Sequence, residues 1–157
     1  MREYIVSVSA LILFCAPFAS AQTVPSGWQI LRDSKNACQM AVPPDWTPYG
    51  DQHGVAVFHD VSTAIAVVTA QPEQDFKPLP DAVQRVMGIP KAKMFENSAK
   101  RVFYQDMTSE NKDNPNAYSI AVPGKTGTCS GHLKFLPDVS EETARKIVLS
   151  LGPTPES

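Results

Sequence analysis

Long apolar runs, basic clusters and cysteines are all scarce in this chain, and each shortage excludes something. No segment stays apolar for the roughly 20 residues that a bilayer-spanning helix needs. The best run, residues 5–18, is broken by Pro17, so no stable membrane insertion is expected. Charged residues make up 19% of the chain and balance to a net −2. That leaves no basic footprint for nucleic acid and no polybasic segment to hold a membrane surface. No internal repeat and no shift of composition marks a second domain. What is present is a 43% hydrophobic chain of 157 residues, enough for one domain with a real core.

The N-terminus reads as an export signal over residues 1–21. Arg2 supplies a short positive region, residues 5–18 an apolar one, and Ala19-Ser20-Ala21 the small-residue cleavage pattern. Cleavage near Ala21 leaves a single domain over 22–157, placed in the periplasm or secreted. A lipoprotein signal needs a small residue before its cysteine, and Phe14 precedes Cys15. Loss of Cys15 with the signal leaves Cys38 and Cys129 as an even pair, and an oxidising compartment favours a structural bridge between them. A closed loop of about 90 residues would constrain the unfolded chain by roughly 4–5 kcal/mol in the chain-entropy picture.

Cys38, Met40 and Val42 alternate with Gln39 and Ala41, the period of a half-buried strand that Pro43-Pro44 ends. With a strand over 28–31 and the turn-rich Asp33-Ser34-Lys35-Asn36 it makes a hairpin. Strands follow over 55–59 and 63–69, the second apolar on both faces and therefore suited to mid-sheet, with helices packed on it. Pro80 and Asp81 open a short helix with the apolar stripe Ala82, Val83, Val86 and Met87, and Gly88 and Pro90 stop it. Two strands lie over 94–96 and 101–108, and 109–116 holds no apolar residue, so it is a solvated loop. Strands over 117–122 and 128–135 follow. In the last of these Cys129, Gly131, Leu133 and Phe135 share one face, and Thr128, Ser130, His132 and Lys134 the other. A closing helix, capped by Asp138 or Ser140, carries Ala144, Ile147, Val148 and Leu151 along one side. The fold class is α+β, an antiparallel sheet of about six strands with helices on its faces.

Two motifs carry a family resemblance. Val42-Pro43-Pro44-Asp45-Trp46 is similar to the strand, proline, x, tryptophan opening of PsbP-like domains. The closing Lys146-Ile147-Val148-Leu149-Ser150-Leu151 resembles their lysine-isoleucine-x-x-serine-hydrophobe ending. The element order between the two motifs also resembles theirs. The resemblance implies a PsbP-like α/β/α sandwich, a fold shared with DcrB-type periplasmic proteins, and binding or assembly roles without catalysis. No ligand site of the family matches residue by residue.

Each chemical signal has a plainer alternative. Gly124-Lys125-Thr126 resembles a phosphate loop, but Ser119 stands where the motif needs glycine, and a strand follows instead of a helix. Ser130 and His132 share a strand face, yet Cys129 replaces the glycine of a nucleophile elbow and no third residue orients the imidazole. His53 and His59, with Asp51 and Asp60, fall on divergent positions, so no metal site is assigned and no cofactor is expected. Trp46, Tyr49 and His53 cluster in the proline-rich loop after Val42 and are the candidate partner-binding residues, although a tryptophan beside a core strand also suits burial. With no complete catalytic constellation, the expected function is an exported, non-catalytic binding or accessory domain for an unknown protein. The alternatives are a carrier for a small apolar ligand held between sheet and helix, and a hydrolase.

Overall fold

A computed structural model describes residues 24–89, 91–106 and 116–156. The signal segment expected over 1–21, Pro90 and the polar loop up to residue 115 lie outside the described residues. The chain runs β1 (Gln29–Arg32), β2 (Cys38–Val42), β3 (Thr47–Pro48), β4 (Val55–Phe58), β5 (Ala64–Gln71) and α1 (Asp81–Val86). A 3-10 turn (Lys91–Lys93) leads to β6 (Met94–Asn97), β7 (Val102–Asp106), β8 (Asn116–Pro123), β9 (Thr128–Phe135), α2 (Glu141–Leu149) and β10 (Gly152–Pro153). Seven strands form an antiparallel sheet in the order β3-β4-β5-β9-β8-β7-β6, and β1-β2-β10 form a second sheet of three. The class is α+β and mostly antiparallel, but the expected sheet of about six strands is divided differently. The opening hairpin forms its own layer, and β3 and β10 are short pairings that periodicity does not mark.

The large sheet has one well-covered face. Registered pairing puts Ala66 beside Leu133 and Leu133 beside Tyr118, with Val68, Gly131 and Ile120 in the next row. The small sheet and α2 pack on this side, and their residues join its buried cluster: Met40 and Val42 from β2, Ala144, Ile147 and Val148 from α2. Gly131 permits the close approach. A Cβ there would meet Ile120 Cγ2 at 3.0 Å and the Met40 and Leu151 side chains at 3.4 Å. Cys38 and Cys129 are bonded across the layers with their Cα atoms 5.6 Å apart. β2 is buried along its whole length, including Gln39 and Ala41, which alternation alone places on an open face. The strand is hydrogen-bonded on both edges, by β1 and by β10.

Polar groups left over in this layer are matched one by one. Ala41 N–H, beyond the end of β10, donates to Ser150 Oγ at 2.7 Å, and Ser150 Oγ donates to Ile147 O at 2.6 Å. One buried serine thus ends the helix and completes a strand edge. The buried Asp33 carboxylate accepts from the N–H groups of Lys35, Ala37 and Cys38 at 2.7–2.9 Å, shaping the β1–β2 turn. Ser140, one of the two expected caps, accepts from Thr143 N–H at 3.1 Å. The i, i+4 pairs Glu141/Arg145 and Glu142/Lys146 form on the exposed side of α2. Arg145 lies over the Phe95 ring at 4.3 Å, and Tyr118 donates to Glu141 at 2.8 Å. Burial, with that hydrogen bond, pushes the Tyr118 phenol up to about 12.

The two helices differ sharply in their role. α1 buries none of its side chains, so the stripe read for it does not dock on the sheet. Ile147 is 0% exposed and Val86 is 89% exposed. Ile147→Ala should therefore destabilise by roughly 2–5 kcal/mol, while Val86→Ala stays within about 0.5 kcal/mol. Chemical denaturation of the two variants checks this, and equal effects would contradict the division of labour between the helices.

Candidate functional site

The second face of the large sheet is covered differently. After β5 the chain crosses this face as a strap, residues 72–80, which leads into α1. Strap, α1 and sheet border a cavity of about 460 Å³ that stands partly open to solvent. Its floor comes from alternate residues of β5, β9, β8 and β7, and its roof from Phe76, Leu79, Val83 and Met87. The size falls within the range of about 300–1,000 Å³ typical of small-molecule sites.

Among the described residues, the hydrogen bonds that tie the strap to the sheet lie toward its two ends. At one end Thr128 Oγ1 donates to Gln74 O at 2.7 Å. Gly127, at φ +70°, lets the β8–β9 turn lie against the start of the strap, where a Cβ would collide with the Gln71 carbonyl and Pro72. At the other end Asn97 clamps Leu79 from both sides: Leu79 N–H donates to Asn97 Oδ1 at 2.8 Å, and Asn97 Nδ2 donates to Leu79 O at 2.9 Å. Gln84 Nε2 also donates to Leu79 O at 2.8 Å. α1 itself has six residues and no side-chain cap, well short of the roughly 12–15 residues a helix needs to hold alone. Its apolar Val83 and Met87, one turn apart, line the cavity and remain 39% and 46% exposed.

Across the floor runs a polar row set by strand register. Tyr104 on β7 pairs with Ser119 on β8, and Ser119 pairs with His132 on β9. Ser119 Oγ lies 3.0 Å from His132 Nδ1. Burial pushes the Tyr104 phenol up, against a hydrogen bond with Ser119 that acts downward. Burial lowers His132, so its imidazole is held neutral; Asp106 acts upward on it and Lys134 downward. The next row holds Val102, Ala121, Ser130 and Thr69. Among the described residues the hydroxyls of Ser130 and Thr69 have no hydrogen-bond partner. The floor therefore offers neutral donors and acceptors among apolar side chains.

Two consequences follow for chemistry. The imidazole pairs with Ser119 on the neighbouring strand, and Ser130, read from the sequence as its partner, stands one row away. β8 and β9 are both interior strands, and their N–H groups serve the ladder. They supply no backbone donors to stabilise an oxyanion beside Ser119. The row is a set of hydrogen-bonding groups suited to holding a ligand.

The proline-rich loop divides its three candidates. Trp46 is 2% exposed, close to Phe58 with ring centroids 6.0 Å apart, and its carbonyl accepts from Gln29 Nε2. Tyr49 is 41% exposed and His53 is exposed as well, so Trp46 shares no surface with them. His59, expected to continue the face of Val55 and Val57, instead leaves β4 at φ +59° and is exposed. Among the described residues no three His, Cys, Asp or Glu side chains gather into a metal-binding group, and no helix is long and apolar enough to cross a membrane.

Tyr104 and Ser119 are the site residues that sequence reading misses. Ser119 sits on the small-residue face of its strand, beside Ala117 and Ala121, and only the register of three strands aligns it with Tyr104 and His132. The depressed His132 gives a pH prediction. An unfolded histidine titrates near 6.5, so between that value and the lower folded one the native state binds fewer protons. The stability present above about pH 6.5 is then lost as pH falls through the folded value. Nuclear magnetic resonance titration should place His132 below 6.5, and His132→Gln should flatten the acid side of the stability curve; titration at or above 6.5 would contradict the burial. Comparison of the chain with protein-family models and with curated proteins found no match.

Proposed function

We propose that the chain is an exported, non-catalytic binding domain of PsbP-like fold that holds a small, largely apolar ligand between the sheet and the strap. The observation that carries this reading is the 460 Å³ cavity roofed by a helix that buries none of its own side chains. A helix spent on the core would have packed Val83 and Met87 against β8 and β9. Here those side chains stand off the sheet, and a ligand beneath them would supply the missing contact. The disulfide supports export into an oxidising compartment. A binding role fits the Ser119–His132 pair better than turnover does, because the strands around it leave no free backbone donors.

A second reading, docking of a partner protein on the proline-rich loop, draws on the exposure of Tyr49 at 41%. One experiment separates the two. N-phenyl-1-naphthylamine, an apolar probe that fluoresces on leaving water, should bind the wild-type protein. Ala121→Phe, which fills the floor beside Ser130, should weaken that binding by at least about tenfold with the fold retained. Tyr49→Ala should leave it unchanged. Probe binding that survives Ala121→Phe and disappears with Tyr49→Ala would move the site to the loop.

A further inference from the structure

We infer that the ligand of this cavity is an uncharged amphiphile, with an apolar body beneath α1 and one hydroxyl or amide head seated on the Tyr104–Ser119–His132 row. The inference rests on the cavity reading above and adds the chemistry of the ligand.

The charge pattern around the cavity carries the argument. The row itself holds a phenol, a hydroxyl and a neutral imidazole, which can each donate and accept but bring no formal charge. Among the described residues the charged groups near it come in opposite couples. On the sheet, Asp106 and Lys134 lie either side of Ala117, one row below, and they act on His132 in opposite directions. On the strap, Asp75 and Lys77 are two residues apart at the wall of the cavity itself, and both are exposed to solvent. Each couple sums to zero formal charge, so neither offers an unopposed counter-charge to an anion or a cation. A charged head seated on the row would give up its water and meet only dipoles there, which is unfavourable without a counter-charge. An alcohol or amide head replaces its water with the hydroxyls of the row, and Ser130 and Thr69 offer further unengaged hydroxyls beside it. The roof selects the rest of the molecule. Phe76, Leu79, Val83 and Met87 present no polar side-chain group apart from the Met87 thioether, so the body they cover is apolar.

The test is a displacement series on the purified wild-type protein, with N-phenyl-1-naphthylamine as reporter and decanol, decanoate and decylammonium as competitors of one chain length. Decanol should displace the probe at concentrations at least about tenfold below either ion, since one hydrogen-bonded head against one stranded charge is worth that much. Ser119→Ala should weaken decanol by about tenfold, and Tyr104→Phe, which removes a single oxygen, by several-fold. Decanoate or decylammonium binding as tightly as decanol would overturn the inference while leaving the cavity reading in place. So would decanol affinity untouched by both substitutions. A probe that does not bind the wild-type protein at all would overturn the cavity reading itself.

Discussion

The docking of β2 and α2 on one face of the seven-stranded sheet is the constraint from which the remaining architecture follows. That layer takes up the large side chains of the chain's interior, among them Met40, Tyr118, Leu133, Phe135 and Ile147, each at 2% exposure or less. It is held by three kinds of link at once. Apolar contact supplies the bulk of the free energy, the Cys38–Cys129 bond ties the first strand layer to the middle of the sheet, and Ser150 joins helix end to strand edge. Gly131 suits this seam, because a Cβ there would press on Ile120 Cγ2 at 3.0 Å and already touch Met40 and Leu151 at 3.4 Å.

The same allocation leaves the opposite face without a comparable cover. A sheet face of Val67, Thr69, Ala121, Ser130 and His132 is half-buried or exposed, beneath a strap that touches down at Gln74 and at Leu79. A proline-marked segment followed by a six-residue helix cannot fill that space. The cavity is therefore a by-product of one-sided packing, with the ends of its strap tied by Asn97 and Thr128. In the binding role proposed above, the polar row would give the space its selectivity, since hydrogen-bonding groups on three neighbouring strands lie within one row of the ladder.

Much of the covered side was legible in the sequence. The strand over 128–135, the closing helix with its stripe, and the inward-facing cysteine pair all rest on strong local periods, and the structure has each of them. The serine of the closing motif also acquires a physical reason, as the group that completes β2. The open side was less legible because its features are set by long-range register. Tyr104, Ser119 and His132 are far apart in sequence, and nothing local says that they align. The short helix misled for a related reason. Val83 and Met87 have the spacing of a packed stripe, and spacing cannot tell a core contact from the lining of a cavity. The proline-rich loop was legible in part, with Trp46 suited to burial on general grounds and buried in fact.

On the proposed binding role, ligand enters the space between the open sheet face and α1. Methyl resonances of valine and methionine, followed while decanol is titrated into the labelled protein, test it most directly. Shifts are expected at Val67, Val83, Met87 and Val102, with intermolecular contacts to at least one roof and one floor residue, while Val42 and Val148 on the covered side stay still. Shifts gathered at Val42 and Val148, shifts confined to the surface at Val61, or no shift at saturating decanol would contradict it.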